Sequence, residues 1–167
     1  MIFEYGVYAL DIDADRTRHF YSDQNYEFCT CAGCRNFSKA YPMIPDVVQQ
    51  FFQQFGIDIG KPAEITPVYS SDGNLTYYDG FYHVCGTLLK GKDPWIKIAE
   101  RTYQLDDQYA LKLTEHFKVF FTEKCAMVDK DFPVPAIQMK IQCYVPWMLD
   151  EPNPYFFESK DNESPTP

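Results

Sequence analysis

Hydrophobic and polar residues alternate in two segments near the end of the chain, and this alternation predicts β-strands. Over residues 136–145 apolar side chains occupy every second position, with Gln138, Lys140 and Gln142 between them. Residues 115–122 show the same two-residue period. Because this period places alternate side chains on opposite faces of a strand, we expect antiparallel neighbours with one face on the core and one in water.

Two more stretches predict strands of the same sheet. Residues 3–12 alternate throughout and predict one strand, and the aromatic run at residues 75–89 predicts another. The dipeptide Asp72-Gly73 separates that run from an apolar stretch at residues 65–69, and such a dipeptide is typical of a hairpin turn. Further along, residues 95–103 predict another strand.

One segment has the 3.6-residue period of an amphipathic helix. At residues 46–55 four glutamines lie opposite an apolar face, with Asp46 at the start and Gly56 directly after the end. An acidic residue favours a helix N-terminus and glycine favours a helix C-terminus, so both ends are specified. Residues 106–113, beginning with Asp106, predict a second, short helix. The apolar face of the first helix comprises Val47, Val48, Phe51, Phe52 and Phe55.

The composition supports a single domain dominated by a sheet. The chain has 167 residues, including 14 Phe, 13 Tyr and 2 Trp, and aromatic side chains suit packed sheet faces. We therefore expect an α+β fold in which one clear amphipathic helix packs on a mainly antiparallel sheet, all within residues 1–150. Residues 151–167 are rich in proline and acidic side chains, which predicts a tail that is mobile beyond residue 158.

The charge of the chain limits the partners that we expect. There are 15 Lys+Arg against 24 Asp+Glu, for a formal charge of −9. An acidic chain is repelled by phosphate backbones and by anionic membrane surfaces, so we expect neither nucleic acid nor membrane as a partner, whereas a basic protein fits. The first twelve residues carry Glu4 and Asp11 and lack a basic start, which excludes a signal peptide and predicts a cytoplasmic location.

The six cysteines are therefore expected in a reducing compartment, where metal ligation is more common than a structural disulfide. Cys29-x-Cys31-x2-Cys34 brings three thiols within six positions, a spacing that suits a zinc site. A closed site needs a fourth ligand, and His83 or Cys85, on one face of the predicted strand at residues 75–89, are the first candidates. Other candidates are His19, Cys125 and Cys143.

Three other interpretations of the cysteines remain open. The thiols can be small reduced side chains packed in the core. Cys31 and Cys34 have the spacing of a redox dithiol, although prolines follow too soon for the long helix of a thioredoxin site. A cysteine nucleophile needs a histidine and an orienting amide, for which Asn36 and His83 are available.

Five motifs run through most of the chain, from about Val7 to Tyr155. They are Asp13-x3-Thr17-Arg18-x-Phe20-Tyr21, Cys29-x-Cys31-x2-Cys34-Arg35-Asn36-Phe37, Phe55-Gly56-Ile57-Asp58-x2-Lys61-Pro62-Ala63-Glu64, Gly80-Phe81-Tyr82-His83-x2-Gly86 and Pro146-Trp147-x-Leu149-Asp150-Glu151. In these motifs the chain resembles a small family of bacterial proteins for which no function is established. The resemblance implies a bacterial, cytosolic origin and assigns no activity, cofactor or functional residue.

These features predict a non-enzymatic binding or interaction domain, in which a Cys-rich metal knuckle fixes the segment between the first strand and the helix. One alternative is a thiol-dependent redox protein or enzyme that uses Cys31 and Cys34. Another is an acidic inhibitor or immunity-type protein that covers a basic partner.

Overall fold

Nine strands and three α-helices make up the fold in the computed structural model, which describes residues 1–72 and 74–157. Short 3-10 helices occur at Tyr41–Met43 and Asp107–Tyr109. The α-helices are α1 (Ala14–Asp23), α2 (Ala32–Ala40) and α3 (Asp46–Gln54). The strands are β1 (Ile2–Tyr5), β2 (Tyr8–Ile12), β3 (Glu64–Ser70), β4 (Leu75–Lys90), β5 (Trp95–Ala99), β6 (Thr102–Leu105), β7 (Leu111–Thr114), β8 (Phe117–Thr122) and β9 (Ala136–Pro146).

Seven of these strands form one antiparallel sheet, which confirms the predicted α+β class. The strand order is β1-β2-β4-β9-β8-β7, and β3 also pairs with β4. The centre of the sheet is the pairing of β4 with β9, which runs from Leu75 opposite Pro146 to Cys85 opposite Ala136. The predicted neighbours β8 and β9 pair antiparallel, as expected.

The prediction of a single strand at residues 3–12 is wrong, because this segment is a hairpin. β1 and β2 pair antiparallel around a tight turn in which Tyr5 lies opposite Tyr8. Gly6 in this turn has a φ of 55°, a left-handed conformation that glycine adopts without steric cost. The apolar alternation continues through the turn, so it does not reveal the reversal of the chain.

The segment at residues 95–113 also differs from the prediction. Residues 95–103 belong to two short strands, β5 and β6, which pair with each other as a separate hairpin. Asp106 does cap a helical turn, since its side chain accepts a hydrogen bond from the backbone N–H of Gln108 at 3.0 Å. The turn ends at Tyr109 and the chain continues as β7, which pairs with β8.

Helix α3 packs on the sheet as predicted, through the buried side chains of Val48, Phe51 and Phe52 and through Phe55 just after its end. The Phe52 ring lies edge-on to the ring of Tyr82 on β4, with the ring centroids 5.0 Å apart. Val47, which the sequence also placed on the apolar face, is 55% exposed. The apolar face of the helix is therefore narrower than the pattern suggested.

Helix α1, which the sequence pattern did not predict, completes one edge of β4. Strand β3 pairs with this edge up to Phe81 and strand β2 pairs with it from Gly86 onward. Between them the buried Tyr21 hydroxyl accepts a hydrogen bond from His83 N and donates one to His83 O, both at 3.1 Å. The Thr17 hydroxyl accepts one from Cys85 N at 3.0 Å. Side chains of α1 thus replace the missing strand partner.

Replacing Tyr21 with phenylalanine is expected to lower the free energy of unfolding by about 1–3 kcal/mol, because it leaves the backbone groups of His83 buried without that partner. Urea denaturation measures the change. Tyr103→Phe is the matched control, because Tyr103 is well exposed and should unfold like the wild type. Equal stability of the two variants would show that the hydroxyl of Tyr21 does not hold α1.

Part of the second face of the sheet is covered, contrary to the expectation that this face lies in water. Lys140 on β9 is only 7% exposed and forms an ion pair with Asp79 on β4. Its ammonium lies 5.1 Å from the ring centroid of Trp95 on β5 and 5.6 Å from that of Phe81. An ion pair and two aromatic rings compensate for burial of the charge, so a polar residue at this position does not mark a solvated face.

The chain after β9 returns along β3, where Ser70 N donates a hydrogen bond to Tyr155 O at 2.8 Å. The part of the tail that we predict to be mobile, beyond residue 158, lies outside the described residues, as does Gly73 of the predicted hairpin turn. Among the helices of the described segments, none is both long and apolar enough to cross a membrane.

Candidate metal centre

Cys29, Cys31 and Cys34 converge at the start of α2. Their sulfur atoms all lie within 4.8 Å of one another, and those of Cys29 and Cys31 are 3.1 Å apart. In a tetrahedral zinc site, sulfur ligands at about 2.3 Å from the metal are about 3.8 Å from each other. All three cysteines are free thiols. The cluster therefore has the composition and the spacing to hold a metal ion.

The beginning of α2 accounts for two of the three positions. Cys31 is the N-cap residue, and its sulfur accepts a hydrogen bond from the backbone N–H of Cys34 at 3.4 Å. An N-cap side chain bends back over the first turn of a helix, so the residue three positions later lies next to it. Cys29 is in the loop before the helix and supplies the third sulfur from outside it.

Close packing of α2 on β3 determines which sulfur is buried. A Cβ atom at Gly33 would lie 2.2 Å from the Cγ of Pro67, so only glycine permits this approach of the helix to the strand. The Tyr78 hydroxyl on β4 donates a hydrogen bond to Gly33 O at 2.8 Å. As a result Cys34 is buried, with its sulfur 3.9 Å from Ile65 O, whereas Cys29 and Cys31 are exposed.

Asn36 anchors the same helix from its buried side. The side chain is fully buried, and its amide nitrogen donates hydrogen bonds to the Tyr78 hydroxyl at 3.2 Å and to Pro146 O at 3.1 Å. Its amide oxygen accepts one from Met148 N at 2.6 Å. Asn36 is thus a structural connection between α2, β4 and the segment after β9, and these bonds occupy the amide that the nucleophile interpretation required.

Arg35 connects the exposed side of the cluster to the rest of the chain. Its Nε donates a hydrogen bond to Thr30 O at 3.2 Å, which holds the loop between Cys29 and Cys31. Its guanidinium also forms an ion pair with Glu151. The adjacent Arg35 and Asn36 of the motif therefore fix α2 on both sides, a role that the sequence pattern did not reveal.

The three thiols differ in their electrostatic surroundings. Hydrogen bonding with the thiols of Cys34 and Cys31 lowers the pKa of Cys29, which is exposed. Burial is the main cause that raises the pKa of Cys34 well above the usual range of a thiol. Cys29 is therefore the more easily ionised of the two, and a bound cation would be needed to ionise Cys34 near neutral pH.

The structure does not bring His83 or Cys85 to this cluster. On β4 the buried Tyr78 and Tyr82 face the helices, so His83 points to the opposite face of the sheet. There its Nε2 atom lies 2.9 Å from Ala126 O, and its ring packs against that of Phe132. The group of close ligand atoms in the described residues comprises the three cysteines and includes neither His83 nor Cys85.

The remaining candidates also lie elsewhere. His19 is exposed on α1, where its Nε2 atom is 3.3 Å from a carboxylate oxygen of Asp23. Cys125 has its sulfur 3.5 Å from Ala136 O, and Cys143 is buried in the core on β9. None of these three belongs to the group of ligand atoms found in the described part of the chain.

Comparison with models of known protein families, with curated proteins and with solved structures found no match to this chain.

Proposed function

We propose that this protein is a metal-binding interaction domain in which Cys29, Cys31 and Cys34 hold a zinc ion. The observation that carries the proposal is the convergence of three thiol sulfurs within 4.8 Å of one another. Sulfur ligands select soft or borderline metals, among them zinc and copper(I), over magnesium or calcium. The three sulfurs thus form a donor set suited to zinc.

The surrounding structure favours binding because much of the site is already ordered. Cys31 and Cys34 are held by the start of α2, and Cys34 is fixed against β3. Preorganised ligands lose little conformational freedom when a metal binds, which increases affinity. Cys29 lies in the loop before α2, and metal binding would restrict the conformations of this loop more than those of the helix.

The bound metal would have a structural role in the loop at residues 24–31. Phe28 in this loop packs near Phe37 on α2 and near Tyr41, with ring centroids 6.1 and 6.5 Å away. A metal that joins Cys29 to α2 would add a second attachment close to this aromatic contact. We therefore propose a knuckle that stabilises the connection between α1 and α2 in a domain without catalytic activity.

Replacing Cys31 with serine is expected to abolish stoichiometric zinc binding. Loss of a residue that only supports a ligand weakens metal affinity about 10–100-fold, and loss of a direct ligand should weaken it further. Because thiols must lose their protons to bind, the affinity of the wild type should fall as the pH is lowered. Elemental analysis after gel filtration and competition with a chromogenic chelator measure these effects.

Cys125→Ser is the matched control, since it removes a thiol that lies outside the cluster. This variant should keep one zinc ion per chain and the melting temperature of the zinc-loaded wild type. A wild-type protein that binds no zinc and whose exposed thiols react freely would contradict the proposal.

A dithiol redox function is the second candidate, because Cys31 is exposed at the N-cap of α2 while Cys34 is buried one turn later. In that function glutathione disulfide would accept two electrons and two protons as a Cys31–Cys34 disulfide forms. Mass spectrometry of the metal-free protein in a glutathione buffer detects this disulfide. Its formation, together with an absence of zinc binding, would favour the redox function over the metal site.

A further inference from the structure

A groove lies between the hairpin of β5 and β6 and the uncovered part of the second sheet face. Its volume is about 800 Å³, within the range of about 300–1,000 Å³ that is typical of small-molecule sites. The side chains that define it are Tyr77, Asp79, Lys118 and Gln142 on the sheet and Trp95 and Tyr103 on the hairpin. The groove is on the sheet face opposite to α2, so binding there does not depend on the proposed metal site.

Aromatic rings line the groove and continue beyond it across the sheet. Tyr77 and Trp95 are partly buried, whereas Tyr103 is 57% exposed. Next to Tyr77 lie Tyr69 and Tyr144, its partners on the neighbouring strands, with ring centroids 5.3 and 5.0 Å from its own. Aromatic side chains offer a large apolar contact area at a low cost in conformational entropy. An extended ligand in the groove can therefore contact several rings in succession.

A row of three polar side chains crosses the sheet beside these rings. Asp79, Gln142 and Lys118 are direct neighbours on β4, β9 and β8, because Gln142 pairs with both of the others. The side-chain amide of Gln142 is partly exposed and forms no hydrogen bond with any of the described residues. It offers a carbonyl acceptor and an NH₂ donor, while Asp79 adds an acceptor and Lys118 adds donors. The row thus presents both donors and acceptors to a ligand.

Among the described residues, the four charged groups that line the groove each have a partner. Asp79 forms an ion pair with Lys140, and Lys118 forms one with Asp107 at 2.8 Å. Asp106 caps the helical turn after β6, so its carboxylate is engaged as well. An ionic ligand would have to displace one of these partners or leave its own charge uncompensated. The electrostatics of the groove therefore favour a neutral ligand.

We propose that this groove binds a neutral carbohydrate chain. Sugar rings combine an apolar face of C–H groups, which packs on aromatic rings, with hydroxyl groups that both donate and accept hydrogen bonds. The aromatic rings of the groove suit the first property, and its row of polar side chains suits the second. A proline-rich peptide also packs on aromatic rings, but proline has no backbone N–H to donate to Asp79 or to the amide oxygen of Gln142. Carbohydrate therefore fits the groove better.

Titration of the full chain with neutral hexasaccharides of glucose, mannose, galactose or xylose units tests the inference. Isothermal titration calorimetry should show saturable binding of at least one of them with one site per chain. Tyr103→Ala should weaken this binding at least about tenfold, because it removes an exposed ring, and Gln142→Ala about two- to tenfold, because it removes hydrogen bonds. The matched controls are Ile98→Ala, an exposed change on the same hairpin, and Gln50→Ala, an exposed change on α3, and both should bind like the wild type.

Three results would overturn the inference without affecting the metal site. The first is that no neutral hexasaccharide binds. The second is that neither Tyr103→Ala nor Gln142→Ala weakens binding, since the sugar would then bind elsewhere on the protein. The third is that heparin, a polyanion, or a proline-rich peptide binds more tightly than every neutral hexasaccharide. The Gln142 variant keeps the test valid if the Tyr103 variant fails to fold, because the Gln142 amide contributes no hydrogen bond to the described fold.

Discussion

Replacing Phe52 with alanine is expected to lower the free energy of unfolding by about 3–5 kcal/mol. The Phe52 side chain is 1% exposed and lies between α3 and the sheet, with ring centroids 5.0 Å from Tyr82 and 5.7 Å from Phe117. Truncation removes these contacts and leaves a cavity that the surrounding aromatic residues can fill only in part. Urea denaturation followed by circular dichroism measures the change, with the m-value compared between variants.

Val47→Ala on the same helix is the control for this prediction. Because Val47 is 55% exposed, its truncation should alter the free energy of unfolding by no more than about 0.5 kcal/mol. Similar losses for the two variants would mean that α3 does not rest on the sheet through Phe52.

Replacing Asn36 with alanine is expected to lower the free energy of unfolding by about 2–4 kcal/mol. The substitution leaves Pro146 O and Met148 N without the partner that they have in this structure. A buried hydrogen-bonding group that loses its partner costs about 1–3 kcal/mol, and both of these backbone groups are partly buried. Because α2 also positions Cys31 and Cys34, zinc affinity should fall as well. Denaturation and chelator competition on the same preparation measure both effects.

Asn25→Ala is the matched control, since Asn25 is exposed in the loop before the cysteines. It should change neither stability nor metal binding appreciably. An Asn36 variant with wild-type stability would show that the helix is held by its apolar contacts alone.

The sequence predicted the elements whose signal is local. Helix α3 was predicted because its apolar residues recur with the period of a helix. Strands β8 and β9 were predicted because their apolar residues recur with the two-residue period of a strand. The N-terminal hairpin was missed because the alternation of residues 3–12 continues through Gly6, so the pattern shows no turn. Helix α1 was missed as well, since few of its residues are apolar and buried, although Asp13 is an N-cap residue whose side chain accepts a hydrogen bond from Arg16 N.

At the candidate site, only the contacts between residues within about one helical turn of each other could be predicted from the sequence. Cys31 and Cys34 lie close together because any helix that starts between them brings them together, and Cys29 is two residues away. The fourth ligands predicted from the sequence, His83 and Cys85, do not reach the cluster because of a contact between segments that are far apart in the chain. Gly33 and Tyr78 place α2 on the face of β4 opposite to the His83 side chain, and spacing along the chain contains no information about that contact.

Along one edge of β4, neither β3 nor β2 pairs with the stretch between Phe81 and Gly86, and this gap affects the behaviour of the chain in solution. At this point Tyr21 and Thr17 cover backbone groups of His83 and Cys85 that no strand of the described fold pairs with. An uncovered stretch of strand edge is a template for pairing with another chain. Detachment of α1 would therefore expose these backbone groups to pairing with a strand of another chain. By covering them, the helix protects the protein against aggregation as well as supporting its fold.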